Sequence, residues 1–298
     1  MPKLLGFCLL LASASVLAQQ SALQPDPPKV CDSCEKWNAR REPFRVFGNT
    51  YYVGVEGLSS VLITSEKGHI LIDGGLPQSA ALIDESIRAL GFRLQDVRLI
   101  AASHEHYDHA GGVAALQRAS GAPVAASPEG ARALKAGEPT PEDPQFGFGA
   151  FMKFPAVANI REVRDGETLR VNGLAITAHH TPAHTPGSTS WTWQSCEGSR
   201  CLNTVYADSL NAVSSDEYRF SAHDTVVKRF RQSIAAIRGL PCDILLSVHP
   251  EFSNTFEKLK RRKENADSDP FVDKTACRAY ADNASKALDR RLQTERVK

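Results

Sequence analysis

The segment SHEHYDHAGG, at positions 103 to 112, most strongly constrains how this chain can fold, because it places three histidines and an aspartate within six residues. It is preceded by VRLIAAS (97 to 103), a short apolar run that predicts a strand buried on both faces. It is followed by HAGGVAALQRAS (109 to 120), whose pattern predicts a helix. The four polar side chains therefore lie at the carboxyl end of a strand, where open sheets bind their ligands.

These four side chains are suited to binding metal. Because side chains alternate along a strand, His104 and His106 point to the same side, while Asp108 and His109 follow as the chain turns into the helix. Imidazole nitrogens combined with a carboxylate oxygen are ligands for zinc or iron. Dividing the four residues between two ions is sterically easier than wrapping them around one. Each ion then needs further ligands from elsewhere in the chain.

Two of the remaining histidines meet this need. His249 ends the apolar run DILLSV, and His184 lies in AHTPGSTS, a turn after a strand-like segment. A single histidine is more often an ordinary core or surface residue, and we assign that role to His69, His179, His180 and His223. The predicted metal ligands are therefore His104, His106, Asp108, His109, His184 and His249.

Composition narrows the class of ligand. The chain has 298 residues and is 42% apolar, so it can bury the core of one large domain or of two fused halves. Its net charge of +1, from 35 basic and 34 acidic side chains, provides no long-range field that would hold a polyanion. We therefore expect a small or neutral ligand and no nucleic-acid partner.

Strand and helix patterns occur in two successive sets. The first set predicts strands over 44–55, 59–75 and 97–103, and helices over 79–91 and 109–120. A Pro-rich stretch, 137–149, predicts a long surface loop. The second set predicts strands over 167–196, 203–209 and 242–250, a helix over 223–240, and mostly helical residues after 251.

Because each set of strands is accompanied by helices, we expect an α/β (α+β) fold in which two packed sheets lie between outer helices, as four layers. This single domain would cover residues 19–298 and consist of two similar halves, at roughly 44–160 and 161–298.

The first 18 residues are typical of a secretory signal peptide. Lys3 precedes an apolar run from Leu4 to Leu17, and the run ends in the small-x-small cleavage pattern Val16-Leu17-Ala18. The apolar run is shorter than the roughly 20 residues that a membrane-spanning helix needs, which disfavours a membrane anchor. We therefore expect export, cleavage after Ala18, and no membrane attachment of the mature chain.

Six cysteines follow the signal peptide, and an even number in an exported chain indicates disulfides. Cys196 and Cys201 flank a tight step after the strand-like SWTWQS, which favours a cross-link within a hairpin. Cys31 and Cys34 form a C-x-x-C motif ahead of any βαβ unit, so a structural bridge or free thiols are favoured over redox function.

Four segments, in their order and spacing over about residues 44–252, resemble the metallo-β-lactamase superfamily. HILIDGG resembles a strand that comes early in the chains of that superfamily, and SHEHYDHAGG resembles its His-x-His-x-Asp-His signature. AHTPGS and SVHP resemble its two later histidine motifs. The resemblance implies the metallo-β-lactamase fold, a four-layer αβ/βα sandwich. It also implies that Asp73 is a carboxylate that supports a histidine ligand.

Within the superfamily the chain resembles subclass B3, whose members are exported, so we expect a periplasmic protein. In that pattern the first zinc ion is held by His104, His106 and His184, and the second by Asp108, His109 and His249. Ser209 and Asn211 are the expected substrate-binding residues. Ser209 stands where other subclasses have a cysteine ligand, and Asn211 is a departure from a frequent hydroxyl residue. The subclass also implies a disulfide between Cys242 and Cys277.

The resemblance implies an activity as well. A hydroxide bound to two zinc ions, oriented by Asp108, would attack the carbonyl of the β-lactam ring in penicillins, cephalosporins and carbapenems. Such an enzyme would confer antibiotic resistance. We expect a monomer whose partner is a small-molecule β-lactam substrate.

Two other functions use the same metal ligands. A glyoxalase-II-like thioester hydrolase or a lactone hydrolase would use a bridging aspartate, and Asp208 in YADS could serve. Those enzymes usually work inside cells, whereas this chain carries export features. A non-catalytic protein would hold zinc for stability alone, but structural zinc sites are closed by four ligands that are usually rich in cysteine.

Overall fold

The computed structural model describes residues 23–265 and 269–297. The signal peptide predicted at residues 1–18 lies outside these residues and stays a prediction. Within the described ranges, no helix combines the length and the apolar character needed to cross a membrane.

Seven strands form the first sheet, in their order along the chain. They are β1 (Phe44–Phe47), β2 (Thr50–Tyr52), β3 (Val61–Ile63), β4 (His69–Ile72), β5 (Val97–Ala101), β6 (Val124–Ala126) and β7 (Ile160–Glu162). The first four strands pair antiparallel, and β4 to β7 pair parallel. Because β4 and β5 are parallel neighbours, their carboxyl ends meet, and the Asp73 amide donates to the Ala101 carbonyl at 3.0 Å.

Five strands form the second sheet, in the order β12-β11-β10-β9-β8. They are β8 (Thr168–Val171), β9 (Leu174–His180), β10 (Thr189–Glu197), β11 (Arg200–Ala207) and β12 (Ile244–Ser247). Strands β8 to β11 pair antiparallel, and β12 runs parallel to β11. The parallel pair brings the carboxyl ends of β11 and β12 to the same edge of this sheet.

The described helices are α1 (Cys34–Trp37), α2 (Ser79–Ala89), α3 (Tyr107–Ala110), α4 (Val113–Ser120), α5 (Pro128–Ala136), α6 (Asp224–Gly239), α7 (Thr255–Glu264) and α8 (Ala276–Val297). Short 3₁₀ helices occupy Leu94–Asp96, Phe146–Met152, Phe220–Ala222 and Pro250–Ser253. The helix predicted over 109–120 is thus two helices, which are separated at Gly111 and Gly112. A Cβ on Gly112 would lie 2.2 Å from the Gly74 carbonyl oxygen, so this break allows a close backbone approach.

Three apolar clusters join the layers. One lies between the two sheets and includes Tyr52 and Trp191. A second packs α2 and α4 against the first sheet, and a third packs α6 and α8 against the second sheet. The order is therefore helices, sheet, sheet, helices, and the four-layer α/β prediction is confirmed. The division into two similar halves stays a prediction.

Three disulfides cross-link the described chain. Cys31 is bonded to Cys34, Cys196 to Cys201, and Cys242 to Cys277. The hairpin cross-link joins opposed residues of β10 and β11. Cys242 precedes β12 and Cys277 lies in the first turn of α8, so their bond ties the longest helix to the second sheet.

Removal of the Cys242–Cys277 bond should cost more stability than removal of the Cys196–Cys201 bond. The first spans 35 residues and the second 5. In the chain-entropy description these separations correspond to on the order of 4 and roughly 2 kcal/mol. Urea unfolding of the two double serine variants measures the difference in the free energy of unfolding. Equal losses, or a larger loss for the hairpin variant, would contradict the expectation.

Candidate metal centre

The predicted ligand residues come from loops that follow strands of both sheets. His104 comes just after β5, and His106 immediately precedes α3, which carries Asp108 and His109. From the second sheet, the chain after β9 carries His184, and the chain after β12 carries His249. Except for His249, which is partly buried, these side chains are buried. Packing of the two sheets is thus what brings the six residues together.

Their potential ligand atoms form two overlapping groups. His104, His106 and His184 each offer one atom, and these atoms lie within 4.8 Å of one another. His104, Asp108 and His109 meet the same limit. His249 lies beside the second group, since its Nε2 is 3.3 Å from Nε2 of His109 and 3.6 Å from Oδ2 of Asp108.

Two of the imidazoles are held by buried carboxylates. His104 donates from Nδ1 to Oδ1 of Asp208 at 2.7 Å, and His106 donates from Nε2 to Oδ2 of Asp143 at 2.9 Å. A ring nitrogen that donates to a carboxylate carries the proton, which leaves the other nitrogen with a free lone pair. His104 therefore presents Nε2 to the cluster, and His106 presents Nδ1.

Two further imidazoles are held by backbone carbonyls. Nδ1 of His184 donates to the Asn211 carbonyl at 2.8 Å, and Nδ1 of His249 donates to the Gly57 carbonyl at 2.9 Å. Both rings therefore present Nε2 to the cluster. Such an outer hydrogen bond is what fixes the tautomer and orientation of histidines that bind metals.

The donor set fits a metal ion. Nε2 of His104 is buried and has no hydrogen-bond partner among the described residues. An unpaired buried polar atom is costly in a folded protein. Nitrogen ligands with one carboxylate match the preferences of zinc. A cation at this place would satisfy the unpaired nitrogen.

Burial and mutual proximity keep three of the imidazoles neutral. Burial, and then the neighbouring His109 and His184, hold the pKa of His104 well below its usual value. Burial is also the main reason why the pKa of His184 and that of His249 are lowered to about 4. His106 differs, because Asp143 outweighs the effect of burial and raises its pKa to about 8. At neutral pH the lowered pKa values leave lone pairs free for a metal.

Asp108 stays ionised despite its burial. Desolvation would raise its pKa, but His109 and His249 outweigh that effect and hold the pKa well below its usual value. Its Oδ2 lies 3.2 Å from Nε2 of His109. The cluster therefore contains one carboxylate charge among the imidazoles.

Asp73 lies behind His109, but the contact is long. Its Oδ2 is 4.0 Å from Nδ1 of His109, which is beyond hydrogen-bond distance. Asp73 instead accepts from the Ser103 amide and hydroxyl, at 2.7 and 2.6 Å, and from the Tyr206 hydroxyl at 2.8 Å. Support of a ligand by Asp73 stays a prediction.

The stretch predicted as a long surface loop supplies two residues that sequence reasoning missed. Asp143 is buried at His106, and the side-chain amide of Gln145 lies 3.3 Å from Nε2 of His184. Proline and turn residues conceal this role. A signal that could have found them is the carboxylate and the amide of the segment DPQFG, which are metal-site residue types in an otherwise turn-like stretch.

Ser209 and Asn211 lie directly beyond β11. The Ser209 hydroxyl accepts from the Asn211 amide at 3.3 Å, and it is the Asn211 carbonyl that holds His184. Asp208, just before them, is bonded to His104. The other four histidines contact different partners, namely Phe92 for His69, Thr192 for His179, Val163 for His180 and Tyr218 for His223.

This arrangement defines a metal-binding αβ/βα sandwich whose site is built where strands of both sheets end. The chain belongs to the metallo-β-lactamase superfamily, whose sequence profile matches residues 53–196. Solved structures of relatives extend the similarity over most of the chain.

The Rm3 metallo-β-lactamase is 53% identical, with 90% of this chain and 99% of that chain covered and a TM-score of 0.87. MEM-A1, a subclass B3 metallo-β-lactamase isolated from a soil metagenome library, is 48% identical, with 88% and 99% covered and a TM-score of 0.84. The metallo-β-lactamase SMB-1, in a complex with mercaptoacetic acid, is 44% identical, with 87% and 99% covered and a TM-score of 0.83.

Replacement of Asp143 by alanine should weaken zinc binding about 10- to 100-fold, the usual effect of losing the outer partner of a ligand. His106 would lose the acceptor that fixes its ring. Competition with a chromophoric chelator measures the zinc affinity. Glu138→Gln is the matched control, because Glu138 lies in the same stretch but pairs with Lys153. Equal affinity of the Asp143 variant and the wild type would show that Asp143 does not position a ligand.

Proposed function

We propose that this protein is an exported di-zinc enzyme that hydrolyses the β-lactam ring of penicillins, cephalosporins and carbapenems. The observation that carries the proposal is the convergence of His184 and His249 on the 104–109 segment, with ring nitrogens turned inward by outer hydrogen bonds. Relatives that are named metallo-β-lactamases and share about half of their residues with this chain support it.

The two overlapping groups support a division of the ligands between two ions. We assign His104, His106 and His184 to the first ion, and Asp108, His109 and His249 to the second. When bound, zinc supplies Lewis-acid polarisation of the scissile carbonyl and activation of water near neutral pH.

The chain's own residues then have distinct tasks. Asp108, ionised and close to two imidazoles, orients the attacking water through a carboxylate oxygen. We assign recognition of the substrate carboxylate to Ser209 and Asn211. In support, both residues lie directly beyond β11, and the Asn211 carbonyl accepts from Nδ1 of His184, so this segment adjoins a candidate ligand. A shift of this segment would therefore change both substrate contact and ligand position.

Two observations speak against the alternative functions. All six cysteines of the described chain are in disulfides, so none can close a structural zinc site. Oδ1 of Asp208 accepts from His104. This bond gives Oδ1 of Asp208 a positioning task, while Oδ2 has no hydrogen-bond partner among the described residues. A thioester or lactone hydrolase of this superfamily would use the aspartate as a bridging ligand.

Three disulfides in the described chain are compatible with secretion. We therefore propose that the mature protein, cleaved after Ala18, acts as a monomer in the periplasm. There it would destroy β-lactams before they reach their targets and so give resistance.

The purified protein should hydrolyse a chromogenic cephalosporin, lose this activity with a chelator, and regain it when zinc is added. His104→Ala should lower kcat/KM by more than about 100-fold, because loss of a ligand should exceed the effect of losing an outer partner. His223→Ala is the control, since His223 is exposed and stacks on Tyr218.

The same preparations should be assayed with a thioester and a lactone. Zinc-dependent turnover of either of these without turnover of any β-lactam would overturn the proposal in favour of the alternative hydrolase. Zinc binding without turnover of any of the three classes would favour a non-catalytic zinc protein.

A further inference from the structure

An aromatic contact to His249 comes from the amino-terminal end of the described chain. The Trp37 ring, at the end of α1, lies 5.5 Å from the His249 ring between centroids, and the Phe252 ring lies 5.1 Å from it. His249 is therefore packed against two aromatic rings in addition to its hydrogen bond. Neither Trp37 nor its segment belongs to the cluster of polar residues described above.

The same segment places the carbonyl that holds His249. The Gly57 amide donates to the Trp37 carbonyl at 2.9 Å, and the adjoining Glu56 amide donates to the Ala39 carbonyl at 2.9 Å. The Gly57 carbonyl in turn accepts from Nδ1 of His249 at 2.9 Å. One residue, Gly57, thus connects Trp37 to the candidate ligand, so a shift of Trp37 would move both contacts of His249.

This connection requires glycine at position 57. A Cβ there would lie 2.2 Å from Cδ1 of Trp37 and 2.8 Å from its Cα, closer than atoms can approach. Gly57 therefore permits the close packing of the ring against the loop, and any larger residue would displace Trp37.

The Cys31–Cys34 disulfide closes the turn that carries Trp37. Cys34 is buried and begins α1, a helix of only four residues that ends at Trp37. A single helical turn does not hold itself together in isolation, because nucleation fixes several residues for one hydrogen bond. Here the Trp37 amide donates at 2.8 Å to the carbonyl of Ser33, and Ser33 lies between the two bonded cysteines. The disulfide therefore limits how far Trp37 can move.

We infer that Trp37 is a positioning residue for His249, and that the Cys31–Cys34 disulfide holds Trp37 in that position so that the ion on the His249 side binds tightly. This inference rests on the proposed role of His249 as a zinc ligand. Without the ring and the cross-linked turn, His249 would be held less firmly in its binding orientation, and zinc binding would have to restore the order. We expect the effect to fall on one ion, since the hydrogen bonds of His104, His106 and His184 go to Asp208, Asp143 and Asn211 and not to this segment.

The test compares zinc binding by purified full-length variants, with stoichiometry and affinity measured by competition with a chromophoric chelator. Trp37→Ala and the Cys31→Ser/Cys34→Ser double variant should each weaken the binding of one ion about 10-fold or more, as loss of an outer partner does. Trp37→Phe should restore most of the affinity. Gly57→Ala displaces the same ring by a different substitution and should also weaken the binding of that ion.

The matched control is Cys196→Ser/Cys201→Ser. It removes a bond of similar short span, 5 residues against 3, from a hairpin that carries no candidate ligand, and its zinc affinities should be unchanged. Thermal unfolding of the zinc-free proteins checks that all variants fold. If both disulfide variants lose affinity equally, the inference is overturned.

A double-mutant cycle with His249→Ala separates this inference from the proposed function. His249→Ala should itself weaken one ion, and adding Trp37→Ala should then have no further effect. An equal additional loss in the His249 variant would show that Trp37 acts elsewhere and would overturn the inference alone. Unchanged zinc binding by His249→Ala would overturn the assignment of this ligand, and the inference with it.

Discussion

The hydrogen bonds on the outer nitrogens of the imidazoles are the interactions on which the rest of the site depends. A histidine can bind a metal only through an unprotonated nitrogen, and which nitrogen is unprotonated is decided by the partner of the other one. Four rings are fixed in this way, by the carboxylates of Asp208 and Asp143 and by the carbonyls of Asn211 and Gly57. These partners are fixed by the fold, so the unprotonated ring nitrogens already face one another in the protein without metal. Binding of an ion therefore does not require the rings to be ordered first.

The partners can do this only because the two sheets are packed together. Asp208 follows β11 of the second sheet, yet it accepts a hydrogen bond from His104, which follows β5 of the first sheet. Two more contacts cross the same junction: Nε1 of Trp191 donates to the Ala102 carbonyl at 3.0 Å, and the Tyr206 hydroxyl donates to Asp73 at 2.8 Å. Both involve large, fully buried side chains of the core between the sheets. The apolar core and the polar site are therefore one assembly, in which loss of packing between the sheets would separate the ligands.

The sequence could predict what is encoded locally. Four candidate ligands lie within six residues at a strand end, and the alternation of strand and helix patterns defines the layers. The outer partners carry no such signal. Asp143 lies in a proline-rich stretch that is typical of a surface loop, and Trp37 lies far from His249 in the chain, so only tertiary packing reveals either contact. The role of Asp208 also could not be decided from the sequence. An aspartate can be either a metal ligand or the hydrogen-bond partner of a ligand, and only its position in the fold distinguishes the two.

Charge explains why such a site attracts cations. Four buried carboxylates, Asp73, Asp108, Asp143 and Asp208, lie within 4.0 Å of an imidazole nitrogen, and Glu105, also buried, follows His104 in the chain. Burial raises the pKa of Glu105 to about 7, that of Asp73 to about 6, and that of Asp208 as well. An ionised carboxylate is costly to bury unless an opposite charge lies beside it. Several of the imidazoles cannot provide that charge, because their own pKa values are lowered by burial. A divalent cation provides the opposite charge, and the imidazole nitrogens can stay unprotonated and bind it. Asp208, which orients His104, is one of these carboxylates, so a cation at this place would stabilise its ionised form as well as the ring that it holds.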